Sequence, residues 1–146
     1  MSSELKSRIQ AELNEARKQR DKERTLVLST ILSDIRNKEI DGGAPADDDA
    51  VTQVLSRGIK QRRDAASQMR GAGREELAAN EEAQAEILEA FLPEGLSEDE
   101  VRALVREAMA SGLDQMGPLM GILMPKLRGR FDGKEANRIV REELGA

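Results

Sequence analysis

At 146 residues, with 23 Lys and Arg against 28 Asp and Glu, the chain carries a net charge of −5 and holds one domain or two small ones. It has neither Cys nor His, so disulfides, thiol nucleophiles and imidazole chemistry are excluded, and with them the commonest general base and metal ligand. Phe91 and Phe131 are its only aromatics, so it cannot build the stacking platform on which single-stranded nucleic acid is usually read.

With 38% hydrophobic and 35% charged residues and no alternating β-branched runs, the composition predicts an all-α fold. The mixed, polar start Met1-Ser2-Ser3-Glu4-Leu5-Lys6 does not read as a signal peptide, and no apolar run approaches the roughly 18 residues that span a bilayer. The expectation is a soluble cytoplasmic protein with no membrane partner.

In chain order, Leu5, Ile9, Leu13 and Ala16 form one apolar stripe on a helix from about Ser2 to Arg20. A second helix is expected from near Asp21 to about Ile40, with Leu28, Ile31, Leu32 and Ile35 at helical spacing. Leu26 and Val27 widen its apolar face, which predicts the most buried helix of the chain. The segment Asp41-Gly42-Gly43-Ala44-Pro45-Ala46 stops it. A third helix starts within Asp47-Asp48-Asp49, buries Val51, Val54, Leu55 and Ile59, and turns cationic through Arg57, Lys60, Arg62, Arg63 and Arg70. After Gly71-Ala72-Gly73 a fourth helix runs from about Arg74 to Leu92. Ten carboxylates and no Lys or Arg lie between Glu75 and Glu100. Two readings of these opposed blocks stand open: a helical hairpin whose charged arms attract each other, or a second anion-binding surface along Arg57 to Arg70.

Pro93-Glu94-Gly95-Leu96 marks the expected domain boundary, which gives an N-terminal helical domain over 1–93 and a three-helix module over 97–146. Ser97 and Glu100 form a capping box for a fifth helix. A sixth runs from roughly Met116 to Leu127, and Asp132 with Glu135 frames a seventh. Gly117 and Gly121, one turn apart, read either as close helix packing or as room for a ligand backbone. Met116, Met120 and Met124 read as an adaptable core stripe or a docking groove.

Between Gln115 and Arg141 six cations (Lys126, Arg128, Arg130, Lys134, Arg138 and Arg141) face two anions, Asp132 and Glu135. A local balance of +4 on an acidic chain points to a polyanionic partner bound through phosphates and shape. The candidate nucleic-acid-binding residues are Lys126, Arg128, Gly129, Arg130, Gly133, Lys134, Asn137, Arg138 and Arg141. Gly129 and Gly133 would let the backbone approach an anion. The opposing reading is a solvated loop whose cations complement a helix C-terminus. No GxSxG, phosphate loop or GxGxxG segment occurs, and no catalytic residue, metal site or cofactor is assigned.

Several segments in series carry a family resemblance. They are Ile35-Arg36-Asn37-Lys38-Glu39-Ile40, Ile59-Lys60-Gln61-Arg62-Arg63-Asp64, Gly73-Arg74-Glu75-Glu76-Leu77-Ala78 and Ile87-Leu88-Glu89-Ala90-Phe91-Leu92-Pro93. The most specific are Met116-Gly117-Pro118-Leu119-Met120-Gly121 and the stretch from Pro125 to Lys134, with Asn137. Taken in order they resemble the GatB/YqeY family across essentially the whole chain. The resemblance implies an all-helical fold and a C-terminal module like the tail of the tRNA-dependent amidotransferase B subunit, which helps bind the tRNA body. It implies a tRNA or other structured RNA partner and an association with glutamine-dependent carbon–nitrogen ligases, whose catalytic domain this chain lacks. Docking on a partner enzyme is the alternative. Phe131 departs from the family pattern, where a small residue is usual.

Overall fold

The computed structural model describes residues 3–145; Met1 and Ser2, where the first helix was expected to begin, and Ala146 lie outside them. The described residues form seven α-helices and no strand: α1 Glu4–Lys18, α2 Lys22–Gly42, α3 Asp48–Gly71, α4 Glu75–Glu89, α5 Glu98–Ala110, α6 Met116–Leu127 and α7 Gly133–Gly145. The fold is all-α. The helices fall into two compact units, residues 1–92 and 93–146, each with its own apolar cluster.

In the first unit, side-chain caps set the helix starts. The Asp21 carboxylate accepts the Arg24 N–H at 3.1 Å and Asp47 accepts the Ala50 N–H at 2.8 Å, each satisfying a donor that the first turn leaves open. Ser3 caps α1 by accepting the Lys6 N–H at 3.0 Å. Its hydroxyl donates to Asp48, which also accepts the Leu5 N–H at 3.2 Å, so the start of α3 holds the start of α1. The helix ends are equally explicit. After α3, the Arg74 N–H reaches the Met69 carbonyl and the Gly73 N–H the Arg70 carbonyl, with Gly73 at φ 76°. The α1–α2 turn repeats that pattern with Arg20 at φ 57°, a left-handed conformation that costs a non-glycine residue about 1 kcal/mol.

Ile9, Leu13, Val27, Leu28, Ile31, Ile35, Val51, Leu55 and Leu88 build the core of this unit. Helix α2 corrects the expectation that it would be the most buried element. Only Val27, Leu28, Ile31 and Ile35 are buried along it, while Leu26 is 62% and Ile40 69% exposed. Leu26 lies about 100° around the helix from Val27, so adjacent apolar residues do not share a face.

Between α3 and α4 the opposed charge blocks meet as a hairpin. Arg63 pairs with Glu89, Arg70 with Glu75 (3.0 Å) and Glu82 (2.6 Å), and Arg62 Nε donates to Gln84 at 3.2 Å. These pairs leave little of the block from Arg62 to Arg70 for an external anion. Arg57 joins none of these pairs and lines a groove between α2 and α3 with Asp34, Asp41 and Gln61.

In the second unit, the Ser97–Glu100 capping box opens α5. Val101, Val105, Leu119, Leu123, Leu127, Ala136, Ile139 and Val140 are buried where α5, α6 and α7 pack together. The leucines at 119, 123 and 127 form the inward line of α6; Met116 and Met120 flank it, half-buried against the cluster. Gly117 and Gly121 overturn the close-packing reading, because a Cβ at either position would meet nothing within 4 Å.

Candidate nucleic-acid interface

The link between α6 and α7 is a pinned turn. Arg128 N–H closes α6 on the Met124 carbonyl (2.9 Å), and the N–H groups of Arg130 and Phe131 both reach the Leu127 carbonyl, at 2.8 and 2.9 Å. Gly129 sits at φ 75°, where an L side chain would be strained. Arg130 fastens the turn from outside. Its carbonyl accepts the Leu96 N–H at 2.8 Å and its Nε donates to the Glu94 carbonyl at 3.1 Å. Phe131 is half-buried against the apolar cluster, which places the bulky departure from the family pattern inward.

Lys126, in the last turn of α6, and Lys134, in the first turn of α7, flank this turn in the chain. Both are exposed. Along α7 the residues Lys134, Asn137, Arg138 and Arg141 recur at intervals of three and four and so share one face, while Ala136, Ile139 and Val140 face the core. Gly133 opens the helix, and a Cβ there would sit 3.7 Å from Met124 Cε, an ordinary contact. Its chemistry does not demand glycine.

The electrostatics divide the candidate cations. Arg138 is committed: it bonds Glu135 (2.8 Å) and Glu142 (2.6 Å) along its own helix and Glu98 (3.1 Å) on α5. Arg102 bridges Glu98 (2.9 Å), Glu142 and Glu143 (3.1 Å), and Arg106 pairs with Glu143 at 3.0 Å. The result is a seven-member ion-pair lattice joining α5 to α7. Glu142 is held below the usual carboxylate range by hydrogen bonds from Arg102 and then Arg138; Glu143 is held down by Arg106 and then Arg102. Glu98 is lowered by Arg102 first and Arg138 second, and the Arg138 guanidinium is pushed up, chiefly by Glu135. Arg130 is engaged with backbone. Lys126, Lys134 and Arg141 carry no ion pair among the described residues. Sequence reasoning weighed six cations equally because it stopped at Arg141; Glu142 and Glu143 follow at once and neutralise part of the block.

On the uncharged side of α6, Gly117, Pro118, Gly121, Ile122 and Pro125 are all exposed, with Ile122 at 45%. No helix among the described residues is long and apolar enough to cross a membrane.

Comparison with known proteins gives this geometry a family context. "Altered inheritance of mitochondria protein 41, mitochondrial" of Pyrenophora tritici-repentis is 27% identical over 145 residues, covering 95% of this chain and 80% of that one. A protein of the same description from Clavispora lusitaniae is 32% identical over 88 residues, 60% of this chain and 51% of that one. One of the subunits of glutamyl-tRNA(Gln) amidotransferase from Thermococcus sibiricus is 40% identical over 57 residues, 34% of this chain but 9% of that protein. Residues 6–144 match the family model described as Yqey-like protein. The chain, whose described residues form seven helices, belongs to the Yqey-like protein family.

Proposed function

We propose that the C-terminal unit is an RNA-binding module of the amidotransferase-tail type, with tRNA or another structured RNA as partner and no catalytic site of its own. The observation that carries this reading is the set Lys126, Lys134 and Arg141, drawn from the end of α6 and one face of α7, exposed and without ion-pair partners among the described residues in a chain of net −5. Free cations on an acidic protein favour a polyanion through counterion release. Arg128 and Arg130, with Gly129, shape the turn; Asn137 adds an amide between Lys134 and Arg141; Gly133 keeps the start of α7 slim. Arg138 would contact phosphate only by giving up a carboxylate. The similar Thermococcus protein is named for tRNA, and association with glutamine-dependent amidotransferase chemistry in trans is part of the same proposal. The cysteine-free chain suits the cytoplasm, the compartment we infer, although the relatives from Pyrenophora and Clavispora are mitochondrial by description.

Titration of labelled tRNA at several salt concentrations tests this. Lys126→Glu with Lys134→Glu should weaken binding by about 1–3 kcal/mol and reduce the log–log salt slope by roughly 1.4 to 1.8. An unchanged slope, or no tRNA binding by the wild type at low salt, would overturn the assignment. The exposed uncharged face of α6 supports a second reading, a module that docks on a partner protein. Ile122→Lys would then abolish partner capture and spare RNA binding.

A further inference from the structure

Helix α2 has a second face that no described residue of the first unit covers. Opposite Val27, Leu28, Ile31 and Ile35 lies the line Leu26, Thr30, Ser33, Asn37 and Ile40, every member exposed. The spacing alternates four and three residues, so in heptad notation the line reads d, a, d, a, d. It is uncharged over four turns in a chain of which 35% is charged, and its ends are the two most exposed large hydrophobic residues identified, Leu26 and Ile40. The Thr30 hydroxyl donates to the Leu26 carbonyl at 2.8 Å and so is satisfied within its own helix.

The flanks say what fits there. Arg36 occupies a g position, and Asp34 and Asp41 occupy e positions. All three are exposed and carry no ion pair among the described residues. Arg36 and Asp41, five residues apart, lie about 140° from each other around one helix and cannot pair within it. In a parallel two-stranded arrangement, the g residue of one helix meets the e residue five further on in the other, and Arg36 then faces the copy's Asp41 twice over. An antiparallel arrangement sets the Asp34–Asp41 row against its own copy, like charge on like. Lys38 is turned to Gln53 of α3 at 2.9 Å, and Arg57 of α3, in the groove beside that row, forms no ion pair with it among the described residues. A buried asparagine at an a position, here Asn37, is a known device for fixing a parallel two-stranded register.

We propose that α2 is a self-association surface, on which two copies of the chain pair their α2 helices in parallel about a two-fold axis. One helix pair with small central residues falls in the size class of weak, transient interfaces, under about 1,200 Å². The dimer should therefore form reversibly with rising concentration.

Because the chain has no cysteine, disulfide trapping gives a clean test. In the parallel pair every residue of the line meets its own copy, so Ser33→Cys and Asn37→Cys should both cross-link under mild oxidation, many-fold faster than Lys18→Cys on exposed α1. In sedimentation velocity the mass should climb from 16.1 kDa towards twice that value with concentration. Leu26→Glu with Ile40→Glu should abolish the climb while helicity by circular dichroism stays unchanged, since both side chains are exposed. Arg36→Asp should weaken association, and adding Asp41→Arg should restore it. Cross-linking at Ser33→Cys alone would make the pair antiparallel and overturn the arrangement. Monomeric mass at millimolar concentration, with trapping no faster than the control, would overturn self-association itself.

Discussion

Gly58 is a residue whose role only its neighbours explain. A Cβ there would lie 2.9 Å from Ile31 Cδ1 and 3.3 Å from Leu88 Cδ1, two fully buried side chains with no room to swing. Gly58→Ala gains up to about 1 kcal/mol of helix propensity but meets overpacking of about 1–3 kcal/mol, so we expect net destabilisation near 1 kcal/mol. Chemical denaturation checks this, and Ile31→Val in the same background should recover part of the loss, because it removes the clashing methyl. Gly121 predicts the opposite sign. With open space around it on an exposed helix face, Gly121→Ala should stabilise the chain by about 0.5–1 kcal/mol, and a fall in denaturation midpoint would contradict the packing described.

At the scale of the element, α5 and α7 are held by apolar packing inside and by the arginine–glutamate lattice outside. The folded-state pKa values of Glu98, Glu142 and Glu143 are lowered, so their contribution is fully present above the ordinary carboxylate range. It is lost as pH falls through that range and below. Melting the protein at a series of pH values should show Tm falling below about pH 4.5, where an unperturbed glutamate titrates. Arg102→Met should flatten that acid limb, since Arg102 touches all three carboxylates. An identical limb in the variant would place the acid sensitivity elsewhere. The hairpin of α3 and α4 uses the same chemistry on a different axis: Arg70 holds Glu82 below its usual range.

For the whole molecule, the two apolar clusters share no residue. We expect Leu123→Ala, which opens a cavity under α6, to cost about 2–5 kcal/mol within the C-terminal cluster. Native-state hydrogen exchange should then accelerate across α5, α6 and α7 and leave α1 to α4 at their wild-type rates. Equal acceleration in both groups would mean that the clusters unfold as one cooperative body.

The sequence by itself determined the all-α class, the order of the helices and most of their limits, because those depend on local signals. Asp21, Asp47 and Ser97 satisfy open N–H groups wherever they stand, and Gly43 and Gly73 adopt positive φ without a Cβ to clash. Tertiary structure alone decided which side of each helix is covered. Leu26 and Val27 are equally apolar in sequence, yet one is exposed and the other buried, because burial depends on where α1 and α3 come to lie. Gly117 and Gly121 carry a packing spacing but face open space. The candidate site was legible as a cluster of charge, not as a set of available cations. Arg138 is bound because the fold brings Glu98, forty residues earlier in sequence, within 3.1 Å, and no local pattern encodes that distance.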